Sequence, residues 1–195
     1  MPPLLVYTWP YALFFWVVFF WAFVPEYAVV SGRAEPSSTP HDASSKRLIV
    51  IGQGIGVFAA FFIAARVPSG GSAHPVWLFW SGVAAIVAGG LLRRHCRRML
   101  GTSFTGAVIV NPGQAVVDRG AYRYVRHPSY TAGTILFLGV GLALGNWIGL
   151  AVLMATVCFV YGYRVVVEER ALAGIIGDPY VAYMRRTKRF VPFLF

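Results

Sequence analysis

Two short stretches gather the residue types able to do chemistry. The first, GAYRYVRHPSYTAG (Gly120–Gly133), sets Arg126, His127, Ser129 and Tyr130 around Pro128, at the mouth of an apolar run. The second, YGYRVVVEER (Tyr161–Arg170), closes another apolar run with Arg164, Glu168 and Glu169. Pro128 suits the first turn of a helix, where its missing N–H costs nothing. The free N–H groups of such a turn and the helix dipole attract an anion such as a carboxylate, and Arg126 and His127 would reinforce that pull. Arg164 and Glu168 stand four positions apart and share one helix face. A plain charged collar at the membrane interface is the alternative for any one of these residues. For the set, a functional site is the better reading, because ionisable side chains at membrane depth are costly.

The elements that must position these groups follow from composition. The chain has 195 residues, 57% hydrophobic and 12% charged. Soluble domains carry about 25% charged residues. The apolar residues come in long blocks, which points to an all-α integral membrane protein with about five transmembrane helices. The expected spans are Pro10–Val24 (extending toward Val30, with Pro25 kinking or ending it), Leu48–Val67, Val76–Leu92, Ser129–Leu144 and Trp147–Val167. The fourth is short for a bilayer about 30 Å thick. Length suggests one membrane domain over residues 1–195, with three N-terminal spans in 1–99 and the chemistry in 100–195.

Basic residues set the expected orientation. Three lie between spans one and two, seven between three and four, and six in the C-terminal part; only Arg66 falls on the other side. The positive-inside rule then places the N-terminus outside and the C-terminus in the cytoplasm. The net charge of +10 therefore reports topology and lipid headgroups rather than nucleic acid. Cys96 and Cys158 have no metal-ligand spacing, so no metal site is expected. No obligate protein partner is legible.

Because Gly145-Asn146 reverses the chain between spans four and five, His127 and Tyr130 should return to the same membrane face as Arg164, Glu168 and Glu169. Asn111-Pro112-Gly113 signals a turn in a flap beneath the site. Asp178-Pro179 reads as the N-cap and first residue of an amphipathic helix with Tyr180, Tyr183 and Met184 on its apolar side and Arg185–Arg189 following. RRHCRR (Arg93–Arg98) reads as a surface helix touching lipid phosphates. GQGIG (Gly52–Gly56) lacks the strand and acidic residue of a nucleotide loop, so its small residues read as helix packing and Gln53 as a bond to a neighbouring helix. Ser31–Lys46 is a polar linker, and His41 and His74 stand beside turn signals.

The order RHPxY, apolar hairpin, EE, then GDPYVAYMRRTKRFVPF resembles the isoprenylcysteine carboxyl methyltransferase family, with a related pattern in phospholipid N-methyltransferases. The resemblance covers about Leu100–Phe195. It implies a membrane enzyme that uses S-adenosylmethionine. By position, the family's cofactor contacts fall on Gln114, Ala115, Val116, Val117, Tyr122, His127, Pro128, Ser129, Tyr130 and Glu168. The arginine that holds the substrate carboxylate falls on Arg164. The family often has histidine where Gln114 stands; glutamine donates and accepts hydrogen bonds but carries no charge.

The resemblance implies methyl transfer to a lipid-like acceptor at the cytoplasmic face of a membrane, of prokaryotic type, most directly the carboxylate of a prenylcysteine. A phospholipid amine is the alternative acceptor and would need a base, Glu169 or Tyr130. An NADPH-dependent membrane reductase shares an RHPxY-like motif. A non-enzymatic channel or scaffold would bind no cofactor.

Overall fold

The computed structural model describes residues 4–31, 43–67, 75–101 and 116–190. Within these the chain forms α1 (Tyr11–Ser31), α2 (Ala43–Arg66), α3 (Pro75–Leu100), α4 (Pro128–Leu144), α5 (Trp147–Ile176) and α6 (Asp178–Arg186), with 3-10 turns at Leu5–Tyr7 and Gly120–Arg123. No strand occurs among the described residues; a single isolated parallel bridge joins Val125 to Lys188. Helices α2, α3 and α5 are long and apolar enough to cross a membrane, and α1 and α4 supply shorter apolar segments. The fold is that of an all-α integral membrane protein. Of the expected linker Ser31–Lys46, Ser31 ends α1 and Ala43–Lys46 begin α2, so both ends are helical; residues 32–42, the flap turn, His41 and His74 lie outside the described residues.

Three helices run further than their apolar blocks. Helix α1 passes through Pro25 and continues to Ser31 instead of ending there. Proline deprives the carbonyl four residues back of its donor. That carbonyl, Trp21 O, accepts instead from Arg94 Nη2 at 3.0 Å, and the Arg94 guanidinium also lies 3.8 Å from the centre of the Trp21 ring. A neighbouring helix thus re-satisfies the freed group, which is how transmembrane helices tolerate proline. Helix α3 carries on through RRHCRR to Leu100. Its arginines grip α1 rather than only meeting lipid: Arg93 and Arg97 both bond Glu26, and Arg97 also reaches Pro25 O at 3.3 Å. Helix α5 continues past Val167 to Ile176.

In lipid, helices associate through close packing more than through the hydrophobic effect, so small residues mark the contacts. A β-carbon added at Gly82 on α3 would lie 2.5 Å from Gly139 O on α4. One added at Gly139 would lie 2.6 Å from Gly82 O. Two of the three GQGIG glycines mark the α2–α5 contact: a β-carbon at Gly52 would lie 2.7 Å from the Val160 side chain and one at Gly56 3.0 Å from that of Thr156.

The α4–α5 hairpin closes as its sequence suggests. Gly145 caps α4 with φ 64° and ψ 21°, a left-handed conformation that suits glycine. Asn146 caps α5, its side chain accepting from Gly149 N–H at 2.8 Å while its amide donates to Val67 O at 2.9 Å. Gly177, with φ 74°, separates α5 from α6. Helix α6 begins at Asp178 itself, so Gly177 rather than Asp178 takes the cap position.

Candidate active site

The hairpin brings His127 and Tyr130, at the start of α4, against Arg164, Glu168 and Glu169 near the end of α5. Tyr130 sits at the centre. Its hydroxyl donates to Glu168 Oε2 at 2.7 Å and accepts from Arg164 Nε at 3.3 Å. Its ring lies 4.9 Å from that of Tyr161 and 5.7 Å from the His127 imidazole. Arg164 is buried, with 2% of its surface exposed. A buried guanidinium, a phenol and a carboxylate therefore form one connected chain at the junction of two helices.

Glu169, four per cent exposed, has a different surrounding from Glu168. It accepts from Arg126 Nε at 2.8 Å and from Arg189 Nη2 at 2.8 Å, and it meets His127 Nε2 at 3.3 Å. Arg126 was expected to reinforce an anion site. It is engaged with protein: beyond Glu169, its Nη1 donates to Met184 O at 2.7 Å and Thr187 O at 2.5 Å. The helix start is likewise partly occupied. The His127 N–H donates to Arg189 O at 3.0 Å, and the Tyr130 N–H to His127 O at 3.0 Å. Pro128 has no N–H, so the site has fewer backbone donors for an anion than four free groups would supply.

The segment after α6 thus becomes a wall of the site. Arg126 N–H donates to Lys188 O at 2.7 Å, and the Thr131 hydroxyl donates to Phe190 O at 2.8 Å. Helix α6 docks through its tyrosines. The Tyr183 hydroxyl donates to Tyr122 O at 2.6 Å, pinning the 3-10 turn that carries Tyr122. Burial pushes the Tyr183 hydroxyl up to about 12 and raises Tyr122 and Tyr180 as well, so all three remain neutral donors at ordinary pH. The Glu169 hydrogen bond, working against partial burial, raises Arg189 and keeps it charged.

Among the other expected positions, Tyr122 and Pro128 are buried and Ser129 is half-buried. Val116 and Val117 are half-buried and lead to Asp118, which pairs with Arg186 on α6 at 2.6 Å. Gln114 and Ala115 lie outside the described residues. Arg93, expected to touch lipid phosphates, turns inward here, and Glu26 carried no expectation. Arg93 Nη1 donates to Ser129 O at 2.7 Å and reaches Ser129 Oγ at 3.3 Å, while its Nε bonds Glu26. The available signal was Glu26 itself, a lone carboxylate in the first apolar run.

Comparison with known proteins agrees with this architecture. The family model described as phospholipid methyltransferase matches residues 77–178. A protein-S-isoprenylcysteine O-methyltransferase of Schizosaccharomyces pombe is 29% identical over 116 residues, 58% of this chain and 49% of that protein. Protein-S-isoprenylcysteine O-methyltransferase B of Arabidopsis thaliana is 30% identical over 120 residues, 60% of this chain and 61% of that protein. The chain therefore matches about half to three-fifths of the length of these curated relatives. The solved structure of a eukaryotic intramembrane Ras methyltransferase, an isoprenylcysteine carboxyl methyltransferase, superposes with a TM-score of 0.67 at 20% identity, covering 100% of this chain and 69% of that one. That likeness concerns the fold. With the family model spanning more than half of its length, α3 through α5 included, the chain belongs to the phospholipid methyltransferase family.

Proposed function

We propose that the protein catalyses S-adenosylmethionine-dependent methylation of a lipid-like acceptor, most directly the carboxylate of a prenylcysteine-type molecule, at the cytoplasmic face of its membrane. The observation that carries this reading is the connected set Arg164–Tyr130–Glu168, a cation and an anion joined by a phenol at the start of α4. The names of the curated relatives support the acceptor class.

The residues suit the cofactor. Glu168, which accepts from the Tyr130 hydroxyl, offers a carboxylate that can pair with a cationic or hydroxyl group. The faces of Tyr122 and Tyr130 offer cation–π attraction of about 0.5–2 kcal/mol. His127, Pro128, Ser129, Val116 and Val117 complete the proposed contacts, with Gln114 and Ala115 preceding them. When bound, S-adenosylmethionine supplies an electrophilic methyl group, and the electron pair of the broken carbon–sulfur bond stays on sulfur. An ionised carboxylate needs no proton removed before it attacks. The chain's task is then orientation, which can lower a barrier by up to about 7–11 kcal/mol. Arg164 would fork onto the acceptor carboxylate and aim one oxygen. Glu169, already gripping two arginines and meeting His127, acts as a clamp that positions His127 and the C-terminal wall.

The family description also favours a phospholipid amine as a second acceptor. An amine must lose a proton, and the Tyr130–Glu168 hydrogen bond is the available relay. The clustering of cations on alternate loops supports the N-out, C-in orientation.

Titration calorimetry of the purified protein tests the cofactor assignment. Wild type should bind S-adenosylmethionine, and His127→Ala and Glu168→Gln should each bind it at least tenfold more weakly. Wild-type affinity in both variants would remove those residues from the cofactor site.

A further inference from the structure

Glu26 is the lone carboxylate of the first apolar run, and a path of contacts leads from it into the site. Its two oxygens are taken by two cations of α3: Arg93 Nε bonds Oε2, and Arg97 Nη2 donates to Oε1 at 2.9 Å. The Glu26 and Arg93 side chains are only 16% and 13% exposed. Tying helices together in lipid needs no charge, as the close approach of Gly82 and Gly139 shows for α3 and α4. Ionisable groups at this depth are costly and point to function. The far edge of Arg93 supplies the link. Its Nη1 donates to Ser129 O at 2.7 Å and reaches Ser129 Oγ at 3.3 Å, in the first turn of α4. Arg97 instead turns back to α1, donating to Pro25 O at 3.3 Å.

One planar guanidinium is thus held by Glu26 at Nε and grips the main chain and side chain of Ser129 through Nη1. A rigid fork fixed at one edge cannot swing, so the carboxylate aims the contact. Next to Ser129 stands Tyr130, whose hydroxyl donates to Glu168 at 2.7 Å and accepts from Arg164 at 3.3 Å. A shift of that first turn would draw the hydroxyl off both partners. We propose that Glu26 and Arg93 are positioning residues for methyl transfer: Glu26 aims the Arg93 guanidinium, and Arg93 sets the first turn of α4 so that Ser129 and Tyr130 meet the cofactor. The inference rests on the methyl-transfer reading and extends it to the first and third helices, which then supply part of the site's geometry as well as an anchor. A misplacement of about 1 Å in an orienting group can cost about 100-fold, and a loosened turn that still visits the right position should cost about tenfold.

The test compares Glu26→Gln and Arg93→Lys with Arg97→Gln in the full, lipid-reconstituted chain. Arg97→Gln removes a second α1–α3 tie to the same carboxylate, so it shows what weaker helix association does by itself. Two readouts are taken: hydrogen exchange of the Tyr130–Gly133 amides without cofactor, and titration calorimetry with S-adenosylmethionine. In Glu26→Gln and Arg93→Lys the amides should exchange at least tenfold faster and the cofactor should bind about tenfold more weakly. The KM of N-acetyl-S-farnesylcysteine should stay within threefold, because Arg164 stands on α5. Arg97→Gln should match wild type within twofold in both readouts. Wild-type exchange or wild-type affinity in either folded variant overturns the inference. So does an Arg97→Gln protein as impaired as the other two, which would make the cluster a plain helix tie. A wild type that binds no S-adenosylmethionine refutes the methyl-transfer reading itself, and the exchange rates still decide whether Glu26 and Arg93 hold α4.

Discussion

Replacing Glu169 with glutamine removes one negative charge from the most crowded ionic cluster in the molecule. The carboxylate is 4% exposed and Arg126 is 10% exposed, whereas Arg189 is 47% exposed. Solvent screens the Arg189 pair, so its share is small. The Arg126 pair is nearly buried, and removing one partner of such a pair costs about 3–5 kcal/mol because the other charge is left uncompensated. Two carbonyls, Met184 O and Thr187 O, still hold the Arg126 guanidinium, which favours the lower end, about 3 kcal/mol. At about 2–4 °C per kcal/mol for a chain of this size, Glu169→Gln should melt about 6–12 °C below wild type. Because Glu169 joins α5 to the segment after α6, the loss should appear first at the C-terminus. Tryptophan-monitored unfolding in detergent measures the shift, and limited proteolysis reads whether residues beyond α6 become cleavable before the helices melt. A Glu169→Gln protein with the wild-type melting temperature and cleavage pattern would refute the clamp.

Tyr130→Phe deletes the hydroxyl that donates to Glu168 and accepts from Arg164; methyl transfer should fall about 10–100-fold, for a loss of roughly 1.5–3 kcal/mol, and unchanged kcat/KM would contradict the geometry. Gly139→Val should separate α3 from α4, since even a β-carbon there would lie 2.6 Å from Gly82 O; cross-linking between cysteines placed on the two helices reads the separation, and retained efficiency would count against this packing. Asp118→Asn breaks an exposed pair with Arg186 and should change stability by less than about 1 kcal/mol, which a melting curve checks. With its pKa raised from 10.0 to about 12, Tyr183 contributes stability that is complete below pH 10 and lost as pH climbs toward 12. Phenolate absorbance should therefore show α6 undocking only in that window, and a transition below pH 9 would contradict the burial.

The parts of this fold that the sequence makes legible are those governed by local rules. Gly145-Asn146 announces a reversal because glycine tolerates positive φ and asparagine caps. Two apolar blocks on either side must then run antiparallel, which brings His127 and Tyr130 to Arg164 and Glu168. What stays hidden depends on partners far apart in the chain. Pro25 reads as a stop because its missing N–H orphans Trp21 O; only Arg94, on another helix, removes that penalty. Arg126 reads as an anion ligand from its neighbours His127 and Pro128, yet Glu169 and two C-terminal carbonyls claim it. RRHCRR looks like a lipid-facing cluster because nothing nearby in sequence shows that Glu26 waits opposite Arg93 and Arg97. Long side chains with several donors find their partners in three dimensions, and the local pattern does not specify which.

The most direct test of the central claim gives the reconstituted protein methyl-labelled S-adenosylmethionine and a prenylcysteine acceptor, then treats the product with alkali. The account predicts labelled acceptor whose label leaves as methanol, the behaviour of a methyl ester, and loss of that product in Arg164→Ala. Label that resists alkali and resides on a phospholipid amine, or no transfer at all, would contradict it.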